Sequence, residues 1–232
     1  MKATVCLPTY NEAENLEKVV RALAPHGVDV LVIDDGSPDG TGEIADRLAV
    51  ELDYVSVLHR KRKEGIGRAY VAGFEEVLAG DSDLILEMDC DFSHDPADVP
   101  RLIAACEAGA DLALGSRYVP GGGTRNWGLL RRAISWGGSF YARLVLGVRV
   151  RDLTGGFKCF RRRVLETLDL DAIESKGYAF QIETTYRVLR RGFEVVEVPI
   201  VFVDRVEGTS KMRGAIVLEA MLRVPLLRFT AR

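Results

Sequence analysis

Residues 1–91 alternate short apolar runs with longer segments that are apolar on one face only. The apolar runs at 4–7, 28–33, 55–58 and 84–88 each have the length of a buried strand. Between them, apolar residues recur three and four positions apart, as they do in an amphipathic helix. This alternation predicts an α/β fold with a mostly parallel central sheet and helices on both faces.

Polar segments follow the first, second and fourth of these runs, namely PTYNE, DDGSPDGT and DCD. Open α/β sheets bind ligands at the carboxyl ends of their strands, so these segments should share one crevice. An ordinary turn with a helix cap is the alternative for DDGSPDGT, since Asp, Ser, Pro and Gly are common turn residues. The side chains predicted to face the crevice are Tyr10, Glu12, Asp35, Asp89 and Asp91.

The two carboxylates Asp89 and Asp91 stand one residue apart at the end of a buried strand. Hard oxygen ligands in this position suit Mg²⁺ or Mn²⁺, which leave their other coordination positions to phosphate oxygens and water. An ordinary polar turn is the alternative when the pair is taken alone. The chain has neither G-x-G-x-x-G nor a P-loop, which argues against a dinucleotide oxidoreductase and a P-loop NTPase.

The overall composition is that of a globular protein of 232 residues with a net charge of −3, large enough for one domain with or without an appendage. This charge argues against nucleic acid as a partner. The four cysteines have no metal-ligand spacing, so free thiols are expected. No secretory leader and no apolar run of membrane-spanning length are found, which predicts a cytosolic protein or one held on a membrane face.

Two later segments, 129–148 and 216–229, combine dense apolar residues with arginines. Such a pattern is typical of basic amphipathic helices in a membrane interface, and 129–148 is expected to form a pair of them. Core helices with snorkelling arginines fit the composition equally well. Pro225 is expected to kink the second segment.

Taken together, these segments resemble the family 2 glycosyltransferases of the GT-A fold, and among them the dolichol-phosphate (polyprenol-phosphate) mannose synthases. The similarity covers nearly the whole chain. The matching segments, in order, are PTYNE, VIDDGSPDGT, MDCDFSHDP, GSRY, DLTGGF, GYAFQIE, VPI and DRVEGTSKM.

The resemblance implies a GT-A catalytic domain over 1–212, with interfacial helices at 129–148, and a C-terminal amphipathic helix over 213–232. It implies a cation, Mg²⁺ or Mn²⁺, on Asp89 and Asp91, and leaves open whether Ser93 or His94 is a further ligand. The residues that it places at the donor nucleotide and its diphosphate are Pro8, Tyr10, Glu12, Ile33, Asp35, Asp89, Cys90, Asp91, Arg205 and Lys211.

For the acceptor phosphate, the resemblance implies Arg117, Arg131 and Ser135, although from composition alone Arg117 fits a surface charge as well. An arginine suits this task because its planar fork matches phosphate geometry. Asp152 is expected to orient the sugar or the acceptor. The residues expected to carry catalysis are Asp89, Asp91 and Arg117.

The implied reaction is inverting, metal-dependent transfer of mannose from GDP-mannose to dolichyl or polyprenyl phosphate. The implied partners are these substrates and the cytoplasmic face of a membrane, with or without a separate membrane-anchor protein. Three alternatives stay open: a UDP-glucose-dependent polyprenyl-phosphate glucosyltransferase, a non-catalytic nucleotide-sugar-binding subunit, and a glycosyltransferase acting on a soluble sugar.

Overall fold

The computed structural model describes residues 1–173, 175, 177–204 and 214–230. In this part of the chain, seven strands form a sheet in the order β3-β2-β1-β4-β7-β5-β8, and β6 and β9 form a separate parallel pair. Strand β7 is antiparallel to both of its neighbours, and the other pairs are parallel. The strands are β1 Ala3–Thr9, β2 Asp29–Asp34, β3 Val55–His59, β4 Leu84–Glu87, β5 Leu112–Ser116, β6 Gly123–Arg125, β7 Lys158–Arg161, β8 Val195–Pro199 and β9 Val201–Val203.

Helices cover both faces of the sheet, as the alternating pattern predicts. The apolar faces of α1, α2 and α4 pack on one side of the strands, and those of α3 and α7 pack on the other side. The predicted α/β architecture is therefore confirmed. The helices are α1 Leu16–Leu23, α2 Thr41–Glu51, α3 Ile66–Leu78, α4 Val99–Glu107, α5 Leu129–Leu146, α6 Arg162–Thr167, α7 Gly177–Arg190 and α8 Gly214–Thr230.

The strand order brings the polar segments together. Strand β1 lies between β2 and β4, with Thr9 opposite Asp34 and Cys6 opposite Glu87. All three strands run parallel, so the loops that follow them leave the sheet at the same edge. The crevice predicted at this edge therefore has its three loops side by side.

Helix α5 is one continuous helix, Leu129–Leu146, where the sequence predicts a pair of helices over 129–148. Gly137 and Gly138 lie in its middle, but each glycine costs a helix only about 1 kcal/mol and does not break it. The buried residues Ala142 and Leu146 of α5 pack with Val224 and Leu227 of α8. Helix α8 continues through Pro225.

No helix among the described residues is long and apolar enough to cross a membrane. The predicted boundary between 1–212 and 213–232 falls among residues that lie outside the description, and it stays a prediction.

Candidate functional site

The loops after β1 and β2 interlock through side chains that bind backbone amides. The amide of Asn11 donates to Ser37 Oγ over 3.1 Å, and the amide of Glu12 donates to Thr41 Oγ1 over 3.0 Å. The amide of Asp35 in turn donates to the carbonyl of Thr9 over 3.1 Å. Tyr10, Glu12 and Asp35, three of the predicted donor residues, are therefore held in one wall of the crevice.

A third loop, after β3, completes this wall and was not anticipated from the sequence. The Arg60 guanidinium binds the buried carboxylate of Asp35 with Nη1 and binds Glu64 with Nη2 over 2.9 Å. Lys63 Nζ lies 3.7 Å from the ring centroid of Tyr10. Burial raises the pKa of Asp35, although the charge of Arg60 opposes the shift.

Ile33 and Pro8 differ from each other in what they can contribute. Ile33 is fully buried in the core against α3, where a Cβ on Gly73 would come within 2.4 Å of its Cδ1 atom. Its side chain does not line the crevice, in contrast to its predicted place in the donor pocket, because alternate residues of β2 point to opposite faces of the sheet. Pro8 is half-buried near the end of β1.

The two acidic residues of the DCD segment are each fixed by a neighbouring side chain. The Tyr70 hydroxyl donates to Asp89 Oδ1 over 3.4 Å, a long hydrogen bond. Asp91 Oδ1 accepts from the amide of Ser93 over 3.0 Å and from its hydroxyl over 2.5 Å. Ser93 thus supports Asp91 by fixing the position of its carboxylate.

His94 supports the backbone of the same segment. Its Nδ1 atom accepts a hydrogen bond from the amide of Asp89 over 3.1 Å. The ring is buried, stacks on Phe157 at 4.9 Å and meets the edge of Phe202 at 5.4 Å. Burial lowers the pKa of His94, so the imidazole is neutral and Nδ1 is available to accept. A role in placing Asp89 follows directly from this geometry.

Residues with a left-handed backbone conformation, other than glycines, lie in the site loops of the described chain. Its non-glycine residues with positive φ are Asn11 at 59°, Phe92 at 58° and Asn126 at 63°. Asparagine tolerates this left-handed region, but for phenylalanine it costs roughly 1–2 kcal/mol. Phe92 lies between Asp91 and Ser93, so the strain falls within the acidic segment, as is common at functional sites.

Cys90 shows how closely the acidic groups approach one another. Its thiol is buried, and burial raises its pKa well above the usual range, with further contributions from Glu12, Asp91 and Asp89. The charge of Glu12 on the first loop thus acts on the acidic segment after the fourth strand. A buried thiol with a raised pKa is unreactive at neutral pH, so the predicted contact of Cys90 with a diphosphate would involve its backbone.

A buried charge pair lies under the acidic segment. Glu87 of β4 and Lys158 of β7 are opposite each other in the sheet, both are fully buried, and Oε2 is 3.8 Å from Nζ. Lys158 Nζ also donates to the carbonyl and to the side-chain oxygen of Gln181. Burial raises the pKa of Glu87 to about 7 and lowers the pKa of Lys158.

Arg117 follows β5 and is buried, where the sequence left a surface position open. Its Nε and Nη2 atoms bind the two carboxylate oxygens of Asp152, and Nη2 also donates to Thr154 Oγ1 over 2.8 Å. Burial alone would raise the pKa of Asp152, but the charge and hydrogen bonds of Arg117 lower it. Asp152, expected to orient the sugar or the acceptor, is the counter-ion of Arg117.

Arg131 and Ser135 lie on α5, beside an aromatic ring that the sequence prediction missed. The Cζ atom of Arg131 is 4.2 Å from the ring centroid of Trp127, and that of Arg117 is 5.5 Å from it. Arg131 Nη1 also binds Asp204 over 2.5 Å. The hydroxyl of Tyr118 donates to Ser135 Oγ over 2.8 Å. Arg117 and Arg131 thus share the ring of Trp127. Ser135 is linked to them through Tyr118, whose ring centroid lies 5.2 Å from the Cζ atom of Arg117.

Aromatic contacts join the acidic and the basic halves of the site. Trp127 meets Phe202 edge-on at 5.3 Å, and Phe202 meets His94, whose imidazole holds the amide of Asp89. The backbone of the acidic segment and the arginines are therefore linked through packed rings, and the predicted arrangement of donor and acceptor requires such proximity. Arg205 and Lys211 lie outside the described residues, and their predicted roles stay predictions.

The donor set of the acidic segment fits a hard divalent cation. Within the described ranges, no group of three or more His, Cys, Asp or Glu side chains converges on one point. Two carboxylates are what Mg²⁺ or Mn²⁺ needs from a protein when phosphate oxygens and water complete the shell. Asp89 and Asp91 would hold such an ion only together with a bound diphosphate.

Comparison with known proteins places the chain in a family. The model for "Glycosyl transferase family 2" matches residues 4–169. The chain belongs to glycosyl transferase family 2. It is 50% identical to a polyprenol monophosphomannose synthase of Mycolicibacterium smegmatis over 226 residues, with 96% of this chain and 85% of that protein covered.

Two further members of family 2 match over nearly the whole chain. An undecaprenyl-phosphate mannosyltransferase of Micrococcus luteus is 49% identical, with 100% of this chain and 96% of that protein covered. A dolichol-phosphate mannosyltransferase of Pyrococcus furiosus is 36% identical, with 97% and 63% covered.

Solved structures confirm the fold of this family 2 chain. A mannosyltransferase of Pyrobaculum calidifontis in complex with GDP-Man and Mn²⁺ superposes with a TM-score of 0.61 at 16% identity, covering 99% of this chain and 72% of that one. Mannosyl-3-phosphoglycerate synthase of Rubrobacter xylanophilus gives 0.68 at 17% identity, covering 98% and 74%. At these identities the likeness concerns architecture alone.

Proposed function

We propose that this chain transfers mannose from GDP-mannose to a polyprenyl phosphate, such as dolichyl phosphate, in one inverting displacement that releases GDP. The observation that carries the proposal is the identity of 49–50% with a polyprenol monophosphomannose synthase and an undecaprenyl-phosphate mannosyltransferase over nearly the whole chain. The geometry supports it, since paired carboxylates and paired arginines lie in one region.

The first three loops and the acidic segment form the donor half of the site. Pro8, Tyr10, Glu12 and Asp35 would contact the nucleoside, and a carboxylate such as Asp35 can accept from the two N–H donors on the guanine edge. The diphosphate would lie against Asp89, the Cys90 backbone and Asp91. A cation bound there, Mg²⁺ or Mn²⁺, supplies positive charge that stabilises the leaving diphosphate. Arg205 and Lys211 are proposed to add to this charge.

The acceptor half provides positive charge in place of a general base. A phosphate monoester has its second pKa near about 6, so around neutral pH it is already mostly a dianion and needs no strong base. Arg131 and Ser135 would hold its oxygens in line with the anomeric carbon, which is the kind of positioning that lowers a bimolecular barrier. Arg117, held by Asp152, would contribute charge and keep the ring of Trp127 in place.

Transfer to lipid is the direct test. Purified protein is incubated with GDP-[¹⁴C]mannose, undecaprenyl phosphate and Mn²⁺, and we expect label to move into the organic phase. Undecaprenol without the phosphate and UDP-[¹⁴C]glucose serve as the matched controls and should give no labelled lipid. Label appearing only with UDP-glucose, or only in water-soluble product, would contradict the proposal.

We further propose that α5 and α8 hold the chain on the cytoplasmic face of a membrane, peripherally and with or without a separate anchor protein. The two helices pack together through buried residues and leave an apolar surface exposed to water. Exposed apolar surface of this kind, next to arginines, is typical of interfacial helices. We call it the α5–α8 surface, and it consists of Leu129, Leu130, Leu144, Leu222, Leu226 and Phe229.

Vesicle sedimentation tests the membrane proposal independently of transfer. The wild-type protein should sediment with vesicles that contain anionic lipid, and the triple variant Leu222→Ser, Leu226→Ser, Phe229→Ser should stay in the supernatant. Val50→Ser is the control, because Val50 is even more exposed than these three residues but lies on α2. Equal sedimentation of the wild-type protein and the triple variant would refute the assignment of this surface.

A further inference from the structure

Two hydrogen-bond donors are buried side by side at the acceptor end of the site. The indole nitrogen of Trp127 is buried and, among the described residues, has no hydrogen-bond acceptor. The Nε atom of Arg131 is in the same condition. The two groups are in contact, since the guanidinium carbon lies 4.2 Å from the indole ring centroid.

Their chemistry limits what the missing partner can be. An indole N–H and a guanidinium N–H can only donate, so the two groups cannot satisfy each other. Folded proteins leave few buried polar groups without a partner, because such a group loses its bonds to water and gains nothing. The partner must therefore be an acceptor that is not part of the described chain, and an anionic oxygen beside two guanidinium groups is the favoured kind.

The surroundings fix both donors in place. Asp204 engages Nη1 of Arg131, which restrains the guanidinium group over the indole ring and leaves its buried Nε–H unused. Trp127 is held by the edge contact with Phe202 and by Arg117 on its ring. Asn126, the residue before Trp127, has a left-handed backbone conformation that fixes the direction of the chain before α5 begins at Leu129.

We propose that Trp127 binds the acceptor phosphate directly, with its Nε1–H and the Nε–H of Arg131 donating to phosphate oxygens. The inference deepens the proposed function and rests on it, because the ligand is the phosphate monoester of the lipid acceptor. Trp127 then selects the phosphorylated lipid over the free alcohol, since a hydroxyl offers neither the charge nor enough oxygens for both donors. Charge-assisted hydrogen bonds of this type are the stronger ones.

The first experiment removes only the donor. Trp127→Phe keeps an aromatic ring under both arginines and deletes the N–H. With a water-soluble short-chain prenyl phosphate, citronellyl phosphate, as acceptor, we expect its KM to rise about ten-fold or more, because a hydrogen bond to a charged group has that weight. The Kd for GDP, measured with Mn²⁺, should be unchanged. Trp136→Phe is the matched control, since Trp136 lies on the exposed side of α5 and a soluble acceptor makes no use of that side.

The second experiment keeps Trp127 and reads it directly. The chain has two tryptophans, so Trp136→Phe leaves Trp127 as the one fluorophore of its kind. Citronellyl phosphate should shift its emission in a saturable way, and citronellol at the same concentration should not. This measurement applies even where Trp127→Phe fails to fold.

The outcomes separate the inference from the proposed function. Wild-type KM in folded Trp127→Phe, or an emission that citronellyl phosphate leaves unchanged, overturns the inference while transfer by the wild-type protein still stands. An equal response to citronellol and to citronellyl phosphate also overturns it, because the indole would then sense the hydrocarbon. Absence of any transfer by the wild-type protein, with the phosphate-specific emission shift present, counts instead against the proposed function.

Discussion

Arg117 and Asp152 form a bidentate ion pair inside the protein, with Nε and Nη2 lying 2.7 and 2.6 Å from the two carboxylate oxygens. Both side chains are almost completely buried. Removing one partner of such a pair leaves a buried charge without compensation, which typically costs about 3–5 kcal/mol. We therefore expect Arg117→Ala to lower the free energy of unfolding by about this amount, as well as to impair transfer.

Chemical denaturation followed by circular dichroism measures this loss. Arg125→Ala, at an exposed position in the neighbouring strand β6, is the matched control and should change stability little. The double variant Arg117→Met, Asp152→Leu should recover much of the stability, because apolar residues can replace a buried pair, but not the transfer activity. If Arg117→Ala has the same free energy of unfolding as the wild-type protein, the Arg117–Asp152 pair does not stabilise the fold.

Ser93 is expected to act on the cation site through Asp91. The Ser93 hydroxyl and amide both donate to Asp91 Oδ1, and loss of such an outer contact typically weakens metal affinity about 10–100-fold. Ser93→Ala should therefore raise the Mn²⁺ concentration that GDP binding requires, as measured by calorimetry. Asp91→Ala should abolish transfer and leave the fold intact. EDTA should abolish transfer by the wild-type protein.

Ser56→Ala is the matched control for this experiment, because Ser56 is an exposed residue of β3. It should leave the dependence of GDP binding on Mn²⁺ unchanged. Retained transfer by purified Asp91→Ala would exclude the metal role assigned to this segment. An unchanged Mn²⁺ requirement in Ser93→Ala would exclude the supporting role of the Ser93 hydroxyl.

The sheet and the position of the crevice could be predicted because both depend on local patterns. Buried runs of strand length and the polar segments after them are visible in the chain, and parallel topology then forces those segments to one edge. The single helix α5 was predicted as two helices because its central glycine pair and mixed composition do not reveal whether a chain turns. Ala142 and Leu146 pack against α8, a contact between residues far apart in the sequence that the local pattern does not reveal.

The partners of the site residues could not be predicted because they are distant in the sequence. Asp152 meets Arg117 across 35 positions, and Tyr70 meets Asp89 across 19. Trp127 gave no signal, since one tryptophan in a glycine-rich loop suits a core or a surface equally. The orientation of Ile33 was missed for a related reason, because its motif lies at the site while its own side chain is buried on the opposite face. Its predicted place in the donor pocket stays a prediction that its backbone alone could fulfil.

The Glu87–Lys158 pair yields a third prediction, which concerns stability. Both groups are fully buried beneath the acidic segment. Lys158→Met removes the cation beside Glu87 and leaves two oxygens of Gln181 without their donor. Unfolding should become easier, by up to about 3–5 kcal/mol at a pH where the Glu87 carboxyl stays ionised. The double variant Glu87→Leu, Lys158→Met should be close to the wild-type protein or more stable. Lys18→Met, at an exposed position on α1, is the control, and urea denaturation that shows no difference between Lys158→Met and this control would contradict the pairing.

The pH dependence of transfer gives the final prediction, because it shows which molecule carries the titrating group. If the acceptor dianion is the nucleophile, the transfer rate at low acceptor concentration should rise with pH up to about 6 and level off above it, following the second phosphate pKa. Below that pH the monoanion predominates and the rate falls. A phosphonate acceptor has a higher second pKa than a phosphate. Its profile should therefore move to higher pH by the difference between the two pKa values. A profile that stays in place with the phosphonate would mean that an enzyme side chain, acting as a general base, titrates instead, and the base-free mechanism would be wrong.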